Sequence, residues 1–168
     1  LALEATGTAK SLISQHSIDC DLKPGIIHTL HKARYLPGGR HEVDCMAERY
    51  DHALDYLDKA ALGEIVESPA YHGGVVDPGG SHLHPLNYAL GLAQAAENAG
   101  ATIYESSEVT GLTEGAEITL ETANGAVTAP QVLLACNGYL GDLNANVAGR
   151  VMPINNFIVA TEPLEEHL

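Results

Sequence analysis

The spacing of apolar positions divides the chain into a mixed series of helices and strands. Ala2, Ala5, Ala9, Leu12, Ile13 and His16 recur at helical spacing and predict an amphipathic helix ending near Ser17. Ile26 to Leu30, after Pro24-Gly25, reads as a strand. Pro37-Gly38-Gly39 reads as a break, followed by a helix from Glu42 to Leu57 and a shorter one over Ala60 to Val66. Tyr71 to Asp77 predicts a strand whose paired Gly73 and Gly74 imply close approach by another backbone or a ligand. Pro78-Gly79-Gly80 reads as a turn. Leu86, Leu90, Ala93 and Glu97 then mark a helix with Pro85 in its first turn, Ser81 to His84 around its cap and Gly100 at its end.

The second half reads mostly as strand. Thr102 to Glu105, Glu108 to Leu112 and Glu117 to Thr122 fit strands. Asn124-Gly125 precedes Ala126 to Ala129 and is the strongest hairpin signal, because Asn-Gly favours positive φ at both turn positions. Val132 to Cys136 is a continuous apolar run, which fits a strand buried on both faces beside Thr102 to Glu105 in a parallel sheet. Asn137-Gly138 ends it, and a last strand is expected from Asn156 to Thr161. This order is not an uninterrupted βαβ series. It implies an α/β chain in which a nucleotide-type sheet carries a three-strand antiparallel insertion, flanked by parts of a second domain.

Composition narrows the partners. Of 168 residues, 22 are acidic and 8 basic, a formal charge of −14. Such a surface repels nucleic acid and anionic membranes and attracts small cations. No apolar run is long enough to span a bilayer. Cys20, Cys45 and Cys136 are odd in number and widely spaced, which fits free thiols in a reducing cytoplasm better than a disulfide framework. Cys136, after its apolar run, reads as an inert buried thiol. The chain opens on Leu1 in helical rhythm, and its two methionines are Met46 and Met152. The expectation is a piece of a longer protein, with exposed sheet edges able to drive self-association.

Two kinds of chemistry are open at the histidines. His72, Asp77, His82 and His84 could form a metal constellation of a hydrolase, since His82 and His84 would share one face of a strand. The glycine turn before them and Pro85 after them favour capping or solvated roles. A non-catalytic ligand-binding domain is a further alternative. Tyr71 is open between a packed aromatic and a cavity-lining residue.

Taken in order, Tyr71-His72-Gly73-Gly74-Val75-Val76-Asp77, His82-Leu83-His84-Pro85-Leu86, Gly91 to Ala96 and Gly100 to Ile103 resemble the central region of FAD-dependent oxidoreductases of the D-amino-acid-oxidase group. The H-L-H-P wording and Asn137-Gly138-Tyr139-Leu140 are most similar to its gamma-glutamylputrescine oxidase branch. The resemblance runs from about Gly25 to Pro163. It implies a two-domain fold in which FAD takes hydride from an amine carbon and water hydrolyses the imine. It implies that the Val109 backbone meets the adenine and that Ala135, Cys136, Asn137 and Gly138 lie beside the cofactor, with Asn137 where many members have glycine. Tyr71, His72 and Gly73 become candidates for the substrate pocket, and no metal and no catalytic residue is assigned. The G-x-G-x-x-G turn that holds the pyrophosphate in this group does not occur in the sequence. The resemblance therefore divides the chain into substrate-domain (1–83), FAD-domain (84–147) and substrate-domain (148–168) parts. It also implies that this chain alone lacks activity and does not hold FAD tightly.

Overall fold

The computed structural model describes residues 2–159, and the chain falls into two units, Leu1–Ile103 and Tyr104–Leu168. In the first, helix α1 (Ala2–Gln15) leads into strand β1 (Lys23–Leu30). Helix α2 (Leu36–Tyr50), strand β2 (Asp55–Asp58), helix α3 (Lys59–Gly63), strand β3 (Gly73–His82) and helix α4 (Pro85–Asn98) follow. The sheet is antiparallel, in the order β1-β3-β2.

Because β3 is central, its first residues, Gly73, Gly74 and Val75, are the most enclosed. The close approach implied by the paired glycines is to backbone: a Cβ at Gly73 would lie 2.8 Å from the Leu57 carbonyl oxygen, and one at Gly74 3.3 Å from that of His28. The strand starts at Gly73 rather than Tyr71 and runs through Pro78-Gly79-Gly80 to His82. Those three residues form a bulge, not a strand-ending turn. Pro24 pairs with Ser81 and Ile26 with Asp77, so three residues of β3 oppose Gly25 alone.

Pro37-Gly38-Gly39 does not break the chain; it lies in the first turn of α2. Proline is suited there because first-turn N–H groups have no helical partner. Gly39 lets the helix settle on the sheet, since a Cβ would stand 2.8 Å from Leu30 Cδ1. The helix stops at Tyr50, not Leu57, with Asp51 left-handed (φ 51°) at its C-cap and its N–H donating to the Met46 carbonyl. Asp55 to Asp58 instead pairs with Val76 to Gly73. Asp58 ends that strand and caps α3, its carboxylate accepting from Ala60 and Ala61 N–H at 3.0 and 2.9 Å. The α1 and α4 faces meet around buried Ile13, Ile18 and Cys20, against Leu83, Tyr88 and Leu92. At Gly91 α4 lies against Ile18, and an added Cβ there would fall on the Ile18 side chain.

The second unit carries an antiparallel sheet of β4 (Val109–Thr113), β5 (Ile118–Thr122) and β6 (Gly125–Ala129), in that order. This is the expected three-strand insertion. Its β5–β6 hairpin turns at Ala123-Asn124, one residue earlier than the Asn-Gly signal, because Thr122 pairs with Gly125. Neither Asn124 nor Gly125 adopts positive φ. The Thr122 hydroxyl instead donates to the Gly125 carbonyl at 2.9 Å and accepts from Asn124 N–H at 3.4 Å.

Thr102 to Glu105 and Val132 to Cys136 are not strands. A strand exists only through its ladder, and no described residue pairs with either segment. Leu133 is accordingly 88% exposed and Cys136 half-buried rather than enclosed. A 3₁₀ turn (Asn137–Tyr139) and helix α5 (Ala145–Ala148) follow. Asn156 to Val159 is not a strand, and the remainder of that expected element lies outside the described residues.

Candidate functional site

In the first unit, the end of α2 meets the bulge of β3. The His52 ring Nε2 lies 3.0 Å from Asp77 Oδ1, with side chains 13% and 27% exposed. Asp77 Oδ1 also accepts from Gly79 and Gly80 N–H, each at 2.9 Å. Asp77 therefore closes the bulge on itself, as aspartate does in short turns, and holds the chain leaving α2 against the sheet. Burial pushes its carboxyl up. The Gly80 N–H, the His52 ring and its charge, and the Gly79 N–H outweigh that effect and hold it below the ordinary value of 3.8. Leu3, Thr6, Met46 and Tyr50 complete a cleft of about 630 Å³ with His52, Asp77, Gly79 and Gly80. Sequence reading missed His52. The Asp-Pro-Gly-Gly wording marked the acceptor, but its partner stands 25 residues away, and only pairing of β2 with β3 brings them together.

The four residues of the metal constellation do not converge. Asp77 serves the bulge and His52. His82 Nδ1 lies 3.1 Å from the Gly25 carbonyl oxygen, and His84 Nδ1 accepts from Asn87 N–H at 3.3 Å as the N-cap of α4. His72 continues the ladder, its N–H donating to the Leu30 carbonyl at 2.9 Å. Among the described residues no group of three or more histidine, cysteine, aspartate or glutamate side chains could hold a metal ion. Tyr71 and His72 are half-buried just before β3, and Gly73 is enclosed by the sheet and by Leu36 of α2.

The candidate cofactor residues lie in the second unit, apart in sequence from Tyr71, His72 and Gly73. Val109 opens β4, half-buried and paired with Thr122, and a register shift follows it before Gly111. Gln131 to Ala135 make no backbone hydrogen bond among the described residues. Asn137 is left-handed at φ 51°, a conformation that asparagine tolerates and glycine adopts freely. At Gly138 an added Cβ would make only ordinary contact with Pro153, at 3.7 Å. Of these residues Val109 has a ladder partner, whereas the stretch up to Ala135 has backbone donors and acceptors left open among the described residues, as a ligand-lining segment would. They do not make a pyrophosphate cradle, for which the sequence holds no G-x-G-x-x-G turn.

The family model described as FAD dependent oxidoreductase, DAO, matches residues 1–168. The chain belongs to this FAD-dependent oxidoreductase family. This family member is 37% identical over 155 residues to the probable oxidoreductase OrdL of Rhizobium meliloti, covering 91% of the chain and 36% of that protein. It is 35% identical to the gamma-glutamylputrescine oxidoreductase of Escherichia coli, covering 93% and 37%. In fold it is similar to glycine oxidase from Geobacillus kaustophilus, with a TM-score of 0.71 over 84% of the chain and 39% of that structure, at 24% identity. L-proline dehydrogenase from P. horikoshii gives 0.68 over 86% and 40%, at 20% identity. The DAO-family chain thus spans less than half the length of these relatives, and among its described residues no helix is long and apolar enough to cross a membrane.

Proposed function

We propose that the chain is part of an FAD-dependent oxidoreductase that oxidises an amine or amino acid. The observation that carries this is the match to the FAD dependent oxidoreductase family over residues 1–168. The fold, with its β1-β3-β2 sheet, α4 and β4-β5-β6 sheet, agrees with that reading, being similar to glycine oxidase over 84% of the chain. When bound, FAD supplies the acceptor for a hydride from the carbon that bears nitrogen. The chain's own share is to line one edge of the cofactor through Val109 and the backbone of Ala135, Cys136, Asn137 and Gly138. Tyr71, His72 and Gly73 border the substrate side. The finer reading, with gamma-glutamylputrescine as the amine and putrescine breakdown in the cytoplasm as the setting, is supported by 35% identity to the Escherichia coli oxidoreductase of that name. The net charge of −14 supports a small cationic partner and disfavours nucleic acid and anionic lipid.

The full-length protein is expected to purify yellow and to bleach when an amine such as gamma-glutamylputrescine is added without oxygen. A colourless protein that FAD cannot reconstitute sinks the reading. The 168-residue chain alone is expected to be inactive and to hold FAD weakly. A backbone contact contributes about 1 kcal/mol, whereas micromolar binding needs about 8 kcal/mol. Calorimetric titration of FAD into this chain checks that expectation, and saturation at low micromolar FAD contradicts it.

A further inference from the structure

The cleft between the start of α1, the end of α2 and the β3 bulge has features of a built site. Its volume of about 630 Å³ suits a small organic molecule. Leu3, Met46 and Tyr50 give it apolar walls, and no arginine or lysine lines it. Its polar side chains are Thr6 and the His52–Asp77 pair. Oδ1 of Asp77 already takes three hydrogen bonds, from Gly79, Gly80 and His52, and among the described residues no hydrogen bond engages Oδ2. When His52 donates through Nε2 as the neutral ring the pair carries one negative charge, and among the described residues no lysine or arginine makes an ion pair with Asp77. Lys10 of α1 donates to the Gly79 carbonyl at 3.3 Å and makes no ion pair with Asp77. An ionised carboxylate at the side of an apolar cleft, in a chain with charge −14, selects a cation with an apolar body.

We propose that this cleft binds an alkylammonium ion, its ammonium on Asp77 and its chain against Leu3, Met46 and Tyr50. The site needs no flavin, so its test stands or falls separately from the oxidoreductase reading.

Hexylammonium chloride is titrated into the purified chain at pH 8 without FAD, and binding is read by the histidine ring signals in NMR and by calorimetry. Saturable binding with movement of the His52 ring signals is expected, and hexanoate is expected to leave them unmoved. Asp77→Asn keeps an oxygen for the two glycine N–H groups but removes the charge, and is expected to weaken hexylammonium about tenfold. Tyr50 is 61% exposed, so Tyr50→Lys and Tyr50→Glu leave the fold intact. Both variants lose the Tyr50 wall, so the charge is read from their difference: the lysine variant is expected to bind the ammonium several-fold more weakly than the glutamate variant, by about the size of one rim charge. Absence of saturation, equal binding of hexanoate, or indifference to Asp77→Asn together with equal affinity of the Tyr50→Lys and Tyr50→Glu variants overturns the proposal.

Discussion

Gly73 tests whether the start of β3 is a packing position or a ligand-facing one. In Gly73→Ala the new Cβ stands 2.8 Å from the Leu57 carbonyl oxygen, 3.1 Å from Leu36 Cδ2 and 3.3 Å from the Tyr56 hydroxyl. The first neighbour is the backbone of β2, paired with β3 on that side, so it cannot swing aside as a side chain does. Overpacking of this kind costs about 1–3 kcal/mol. Removing a glycine from the unfolded chain returns about 0.5–1 kcal/mol. The expected net loss is about 1–2 kcal/mol. With a urea slope of about 2 kcal/mol per molar, the midpoint falls by roughly 0.5–1 M. Gly38→Ala is the control. Gly38 lies in α2 with nothing within 4 Å of its added Cβ, and the change is expected to stabilise by up to about 1 kcal/mol. Urea melts followed by circular dichroism at 222 nm separate the two. If Gly73→Ala leaves the midpoint where it was, or moves it up with Gly38→Ala, the close approach of β2 is wrong and Gly73 is free to face a ligand.

Two further outcomes follow from the same geometry. Gly91→Ala is expected to lower stability by about 2 kcal/mol through overlap with Ile18, and Ile18→Ala in the same chain to recover part of it; a fully additive double mutant in thermal melts contradicts the contact. Asp77→Asn is expected to cost about 1–2 kcal/mol at neutral pH. Because the folded carboxyl sits below 3.8, this contribution is complete above the unfolded value and is lost as pH falls through the lower folded one. The gap between the two proteins in urea melts should therefore shrink only below about pH 3.8, and a gap that closes near neutrality refutes the ionised partner.

Elements held by local signals were legible in the sequence. Helix α4 has a proline in its first turn, a polar cap at His84 and Gly100 at positive φ beyond its end, and it lies where expected. The three-strand insertion came from alternation and one turn dipeptide, although the turn slipped by a residue. Non-local contacts decided the rest. Leu57 has a place in a predicted helix by spacing but is a strand residue because β3 offers it a ladder. Val132 to Cys136 has the composition of a central strand and no ladder partner among the described residues, so composition alone misplaced it. His52 carries no local mark; its role exists only because two strands set it opposite Asp77.

The bulge at Pro78 to Gly80 also fixes a rule about chain length. Pro24 and Ile26 point to the same face of β1, so their partners Ser81 and Asp77 share a face too, although four positions separate them. Two surplus residues are absorbed without inverting the pleat. Removing or adding one residue here would turn Ser81, His82 and everything up to the α4 cap over to the opposite side of the sheet. Removing or adding two would keep the sides and slide the cap by roughly 7 Å along the strand. Homologous chains that retain both this sheet and α4 should therefore differ in length at this segment by even numbers, and an odd difference should coincide with a second irregularity in β1 that restores the phase.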